Sequence, residues 1–338
     1  MALMMFDALL PYFGGKRKLC SVIFAYIAKH LPRENWQGKV FVDCFSGSCA
    51  ASLYAKAQGF DVICNDTAER SFIAGKSLIE NNNIYLTDED VYKLFLSNPE
   101  NRHFIEQAYC PDVFTKRHSV FLDKAFANAK RPLDKYLLLK LIFYIRPYSK
   151  FSSPNAFNRP FEEGRFDEIK STYKKHIQDN LASVLGILKL EKMKINSGIF
   201  SNGLQNEVHK TDVFDFIDEV SGDVLYLDPP YAGTLSYESE YNVLDRILGE
   251  DKPKSKFSSE DGMNMLDSLL ARSEKFPLWA ISFGNAGGKN SLEKLVGIVS
   301  KYRKCEAKEF EYRHCEAMAS EAHKNQCREW LIIGYKTS

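Results

Sequence analysis

No apolar run in the 338-residue sequence approaches the roughly 20 residues that a membrane-spanning helix needs. The opening stretch, residues 1–10, is apolar but short, has no basic leader and runs into Pro11, Gly14 and Gly15. It reads as a poor signal peptide, so the expectation is a cytoplasmic chain with no membrane partner. No internal repeat or low-complexity stretch is evident. Paired cysteine spacing is missing as well: Cys20, Cys44, Cys49, Cys64 and Cys110 sit singly, several inside apolar runs. Without a secretion signal such thiols stay reduced. His314, Cys315, His323 and Cys327 crowd the tail, but their spacing matches no compact zinc-ligand pair, and no metal is expected. Phosphate-binding glycine patterns are absent too. The loop Asp43-Cys44-Phe45-Ser46-Gly47-Ser48-Cys49 has one glycine rather than three, and no Lys-Ser/Thr follows it. That excludes a dinucleotide fingerprint and a P-loop.

What remains is the composition of a globular enzyme, 45% hydrophobic and 26% charged, with material for a core that needs neither metal nor disulfide. Net charge is only +1, yet it is unevenly spread. Residues 115–176 hold 14 Lys/Arg against 6 Asp/Glu, an excess of eight on a mildly acidic remainder. Such a stretch is a candidate footprint for a polyanion or, equally, a solvated helical face.

Residues 39–43 (KVFVD) form a short β-branched and aromatic run that ends at a small-residue loop. Residues 50–59 read as a helix and 60–64 (FDVIC) as a second strand, the start of a parallel α/β sheet. Further strands are expected at 223–227, 278–283 and 330–335. Residues 85–199 differ in texture, with helical periodicity at 137–144 and 181–190 around a polar, Pro-containing loop at 146–165. They read as an insertion between two halves of the sheet.

Three strand ends carry chemistry. Gly47 lets the backbone approach a ligand at the carboxyl edge of a parallel sheet. The second strand ends at Asn65-Asp66, where an acidic side chain either takes ribose hydroxyls or caps a helix. The third reads Val224-Leu225-Tyr226-Leu227-Asp228-Pro229-Pro230-Tyr231. Consecutive prolines remove two backbone donors and stiffen the turn. The Asp228 carboxylate and a proline carbonyl are then adjacent acceptors. Together they suit an exocyclic amine: holding both amine hydrogens favours a tetrahedral nitrogen whose lone pair can attack a methyl sulfonium. Tyr231 beside them can stack on the base. A base inside a duplex cannot be reached, so flipping is implied.

At these residues the chain resembles the Dam-like class of DNA adenine N6-methyltransferases, over most of its length. Pro11-Tyr12-Phe13-Gly14-Gly15-Lys16 is similar to the family's aromatic-x-Gly-Gly-Lys loop, which implies that Tyr12, Gly14 and Lys16 line the methionine part of a cofactor pocket. Asp43 to Gly47, Phe45 included, resembles the acidic-Pro-Phe-x-Gly loop, with Cys44 and Cys49 where proline and a second glycine are usual. Asp66 resembles the ribose-holding acid, and Asp212 the residue facing the cofactor adenine. Asn155 to Phe161 with Gly164-Arg165 is similar to the DNA-contacting segment, lengthened by Glu162 and Glu163. Arg328-Glu329-Trp330-Leu331-Ile332 resembles the closing strand.

The resemblance implies a Rossmann-like methyltransferase sheet with helices on both faces and an inserted, mainly helical target-recognition domain. Residues 1–85 and 200–338 would bind S-adenosyl-L-methionine, and residues 86–199 would read double-stranded DNA. Asp228, Pro229, Pro230 and Tyr231 would be catalytic, with Asp228 also at the cofactor. Arg146, Tyr148, Lys150, Asn158, Arg159 and Arg165 would contact DNA, with Lys116 and Arg117 on the phosphate backbone. A cognate restriction endonuclease is an expected partner, and the chain is expected to be a monomer or weak dimer. Cytosine C5 chemistry would use a thiolate, usually in a Pro-Cys pair; only the reverse Cys110-Pro111 occurs. Two alternatives stay open: a DNA-binding protein on this fold without catalysis, and methylation of structured RNA.

Overall fold

A computed structural model describes residues 5–12, 14–110, 113–145, 180–231, 237–251, 255–259, 261–285, 290–311 and 328–336. They fall into two compact units. One comprises Pro11–Gly75, Ser201–Ser236 and Lys254–Ser338; the other comprises Met1–Leu10, Lys76–Phe200 and Tyr237–Pro253.

The first unit is built on a seven-stranded sheet: β1 (Val40–Asp43), β2 (Asp61–Asn65), β3 (Glu207–His209), β4 (Val224–Leu227), β5 (Leu278–Gly284), β6 (Lys304–Glu311) and β7 (Arg328–Tyr335). Their order is β3-β2-β1-β4-β5-β7-β6. Strands β1 to β5 run parallel, and β7 is antiparallel to both β5 and β6. The chain steps outward from β1 to β2 and β3, then crosses back to place β4 on the other side of β1. That reversal opens a crevice at the carboxyl ends of β1 and β4, where ligands bind in such sheets. The mixed α/β architecture expected from the sequence, with helices on a largely parallel sheet, is the one observed.

Side-chain alternation sends each strand's residues to two separate cores. On one face Val42, Leu225, Leu227, Trp279, Ile281 and Phe283 pack with Phe216 and Ile217 of the helix Val213–Glu219, Leu266 and Leu270 of Gly262–Arg272, and Leu295 and Val299 of Leu292–Ser300. On the other face Phe41 stacks on Tyr226 at 5.9 Å and on Phe24 of the helix Cys20–His30 at 5.2 Å. Trp36, Tyr54 and Phe60 complete that aromatic cluster.

The second unit is helical among its described residues. The helix Pro132–Ile145 begins on a proline, where the missing N–H costs nothing. Leu133 and an unbroken run from Tyr136 to Phe143 are buried, so it is a central helix rather than a surface one. Its Lys140 is 4% exposed and pairs with the fully buried Glu191 at 2.9 Å while donating to the carbonyls of Asp7, Ala8 and Leu9. Thr115 caps the helix Lys116–Asn128, and Asn180 caps Leu181–Asn196, each accepting from a backbone N–H in the first turn.

Candidate active site

Parallel register brings the sequence's candidate loops to one edge of the sheet. Asp43 pairs with Cys64 of β2 and Tyr226 of β4, so the residues that follow each strand emerge side by side. These are the 44–49 loop, Asp66 and the turn at Asp228. Antiparallel β7 adds a residue that strand order alone does not reveal. It starts where β5 ends, with Glu329 directly opposite Gly284, so its first residues lie at the same edge.

The centre of the site is a buried charged cluster. Lys16, 4% exposed, donates from Nζ to Asp228 Oδ1 at 2.8 Å, to the Tyr231 hydroxyl at 2.9 Å and to the Gly14 carbonyl at 3.0 Å. It also lies 3.1 Å from Glu329 Oε1. The Tyr231 hydroxyl is 2.8 Å from Glu329 Oε1 and 2.9 Å from Asp228 Oδ1. One distribution uses every proton once: three from the ammonium to Gly14, Asp228 and Tyr231, and the phenol proton to Glu329. Asp228 Oδ2 then takes no hydrogen bond among the described residues. Burial raises the pKa of Asp228 above the ordinary carboxylate value; Lys16 opposes that rise and Glu329 adds to it. Burial alone would lower the Lys16 ammonium, but Asp228 and Glu329 together more than offset it and hold its pKa up.

The Tyr231 ring, expected from the sequence as a stacking surface, is 5% exposed and packs on Phe283 at 4.8 Å. It has no open face in this arrangement, because its hydroxyl is tied beneath the turn. Pro229 is buried and Pro230 half-buried beside it.

Gly47 adopts φ +50°, and a β-carbon there would lie 3.1 Å from the Tyr12 ring, so glycine lets the N-terminal loop close on the 44–49 loop without strain. Burial pushes the Tyr12 phenol up to about 12, and Arg70 donates to its oxygen at 3.3 Å. Asp43 lies under the loop, accepting from Ser52 Oγ at 2.6 Å and from the Phe45 N–H at 3.3 Å. Its burial raises the carboxyl to about 7. Asp66 accepts from the Gly47 N–H through Oδ2 and from the Ala68 N–H through Oδ1, both at 2.9 Å. Each oxygen keeps a second lone pair. Asp212 caps the helix Val213–Glu219, accepting from the Phe214 N–H. Cys49, at the usual place of a second glycine, sits in the left-handed region at φ 63° with its side chain fully buried. Such a conformation costs a non-glycine residue roughly 1–2 kcal/mol.

Three contributors escaped the sequence reading. Asn65, 1% exposed, exchanges hydrogen bonds with the Thr211 backbone and locks the ends of β2 and β3 together. Phe257 meets Phe45 edge-on at 5.2 Å and stacks with Phe214 at 6.3 Å, forming an aromatic corner. Glu329 stood in a recognised run, but only the register shows what it touches.

In the helical unit, Lys116, Arg117, Val120, Phe121, Lys124 and Leu181 line a cleft of about 440 Å³. Three of the six are cations and none is acidic. Arg146, Tyr148, Lys150, Asn158, Arg159 and Arg165 lie outside the described residues, as do Phe13 and the tail residues His314, Cys315, His323 and Cys327.

Among the described residues, no helix is long and apolar enough to cross a membrane. Comparison with known proteins shows likeness to the type II methyltransferase M2.HphI of Haemophilus parahaemolyticus, 27% identical over 86% of this chain and 87% of that one. The type II methyltransferase M.NlaIII of Neisseria lactamica is 26% identical over 96% of this chain and 99% of its own. The type II methyltransferase M.FokI of Planomicrobium okeanokoites is 28% identical over 72% of this chain but only 37% of its own length. The family described as D12 class N6 adenine-specific DNA methyltransferase matches residues 12–269. That span takes in both glycine loops, Asp66 and the Asp-Pro-Pro-Tyr turn. The chain therefore belongs to the D12 class of N6 adenine-specific DNA methyltransferases, and its activity is site-specific methylation of adenine in DNA.

Proposed function

We propose that the methyl group comes from S-adenosyl-L-methionine and goes to N6 of a flipped adenine in double-stranded DNA, as in the Dam-like enzymes the sequence resembles. The observation that carries this reading is the division of labour on Asp228. Its Oδ1 is held by Lys16, while Oδ2 meets no donor among the described residues. Oδ2 and the Pro229 carbonyl would take the two amine hydrogens and so free the nitrogen lone pair for reaction. As the nitrogen bonds to the methyl carbon, the carbon–sulfur bond of the donor would break with its electron pair leaving on sulfur, and Oδ2 would take the proton that the nitrogen sheds. Stacking of Tyr231 on the base requires the ring to leave Phe283; in the present arrangement its hydroxyl accepts from Lys16 and donates to Glu329.

The strand-end residues fit the cofactor. Asp66 keeps lone pairs for ribose hydroxyls, Asp212 stands at the next strand end for the adenine, and Phe45 with Phe257 offers an apolar corner. Tyr12, Gly14, Lys16, Asp43 and Gly47 shape the remaining wall. When bound, S-adenosyl-L-methionine supplies an electrophilic methyl group. We assign this pocket to the unit that holds the sheet, and DNA reading to the helical unit. There the Lys116, Arg117 and Lys124 cleft holds backbone phosphates. Arg146, Lys150, Arg159 and Arg165 are assigned to phosphates and Tyr148 and Asn158 to bases on the sequence resemblance alone, since they lie outside the described residues. The relatives are named as type II methyltransferases, which supports pairing with a cognate endonuclease; we read the chain as a cytoplasmic monomer or weak dimer.

The test is methylation of unmodified duplex with S-adenosyl-L-methionine, read as N6-methyladenine by mass spectrometry and placed by sequencing. Asp228→Ala is expected to lower turnover at least ~100-fold, on the scale of removing one preorganised transition-state hydrogen bond, with only a modest fall in cofactor affinity by calorimetry. Near-parental turnover in that variant would refute the assignment.

A further inference from the structure

We infer that Glu329 is a positioning residue for methyl transfer: from the start of β7 it takes the Tyr231 hydroxyl proton and flanks the Lys16 ammonium, so that Lys16 holds one oxygen of Asp228 and the other is left for the amine. This role depends on the amine-holding function proposed for Asp228.

Geometry and charge both lead to it. Glu329 is 1% exposed, and a buried carboxylate is costly unless it is paired and hydrogen-bonded. Its Oε1 has both kinds of partner, the ammonium at 3.1 Å and the phenol at 2.8 Å. Asp228 and Glu329 thus share one cation. A neutral residue at 329 would leave Lys16 paired with Asp228 alone, whereas a residue with no acceptor would free the Tyr231 hydroxyl to swing wholly onto Asp228. The register explains how a residue a hundred positions from the turn reaches it. Glu329 lies opposite Gly284, and the missing side chain of Gly284 is the space that the Tyr231 ring occupies.

The charge of Glu329 also governs how readily Asp228 ionises. The groups acting on Asp228 or sensing it come from five elements: Lys16 on the N-terminal loop, Cys20 on the helix Cys20–His30, Asp43 on β1, Tyr226 and Tyr231 flanking the turn after β4, and Glu329 on β7. Lys16 favours the ionised form of Asp228, and Glu329 disfavours it. Removing the Glu329 charge while keeping its oxygen therefore lowers the pH at which Asp228 takes up a proton.

Glu329→Gln and Glu329→Ala test this in the full chain, with folding checked by thermal melting. The pH dependence of single-turnover methylation is measured on one duplex, and the Asp228 carboxyl is titrated by carbon-13 NMR, using Asp228→Asn to identify its signal. Glu329→Gln is expected to keep a measurable plateau rate and to move both the acid limb and the carboxyl titration to lower pH. Glu329→Ala is expected to fall roughly tenfold or more in single-turnover rate, because a charged hydrogen-bond partner is gone, with the KM for DNA little changed. A titration in Glu329→Gln that is unmoved or moves upward overturns the inference, as does a parental rate in Glu329→Ala. The NMR titration needs no turnover, so it judges Glu329 even if Asp228 proves not to hold the amine. A purely structural Glu329 would change the melting temperature and leave the titration where it was.

Discussion

Replacing Gly284 with alanine separates close packing from backbone strain at the centre of the site. A β-carbon added there would stand 2.6 Å from Tyr231 Cε2 and 2.9 Å from Cδ2. Carbon atoms in contact settle near 3.5–4.0 Å, so ring or strand must yield by about 1 Å. Gly284 is not among the residues with positive φ, so its backbone accepts alanine and only the close approach is at stake. The ring has little room to retreat, because Phe283 lies 4.8 Å away and Glu329 and Lys16 tether its hydroxyl. Overpacking of this kind costs about 1–3 kcal/mol. A displacement of about 1 Å around a catalytic group can lower turnover as much as ~100-fold. Urea unfolding and initial methylation rates read the two effects. Gly186→Ala is the counterpart: it lies in the helix Leu181–Asn196 with nothing within 4 Å of its added carbon, and should gain about 0.5–1 kcal/mol. If Gly284→Ala unfolds within about 0.5 kcal/mol of the parent and methylates at the parental rate, Tyr231 is not held by close packing at this position.

Two further perturbations address charge. Burial raises Asp43 to about 7, so the folded chain holds that proton where the unfolded chain, at about 3.9, has released it. Its contribution to stability is full below the unfolded value and is lost as pH rises through about 7, worth up to about 4 kcal/mol. Asp43→Asn should flatten the fall in stability across that window in urea titrations. Parallel curves for variant and parent would mean that Asp43 ionises normally. Changing Lys116 and Lys124 to Gln should weaken duplex binding and reduce the salt slope by about 0.9 for each phosphate that is no longer neutralised. An unchanged slope would remove the cleft from the DNA face.

Strands buried on both sides were legible in the sequence because their side chains are apolar throughout. Residues 223–227 and 278–283 match β4 and β5 to within a residue. Strands β3 and β6 were not. β3 has three residues at a sheet edge, too few to show a period. β6, Lys-Cys-Glu-Ala-Lys-Glu-Phe-Glu, sits at the opposite edge, where charged side chains guard an exposed strand and hide its signal.

The candidate site divides along the same line. The position of the Asp-Pro-Pro-Tyr turn at a strand end was readable, since it directly follows the wholly apolar run Val224–Leu227. Partners that meet through sheet register were not. Asn65 lies beside Asp66 in the sequence, yet its use depends on β3 being the neighbour of β2. Lys16 was expected along a cofactor wall and Tyr231 on a base; that both are buried and turned toward Glu329 was not legible. That placement follows from charge. In the proposed mechanism Asp228 accepts an amine hydrogen most strongly when ionised, yet the sheet edge buries it beside a second carboxylate. One ammonium shared between the two is the arrangement that keeps the pair from competing for a proton. Lys16 is thus needed before any ligand arrives, and Glu329 sets how firmly it is held.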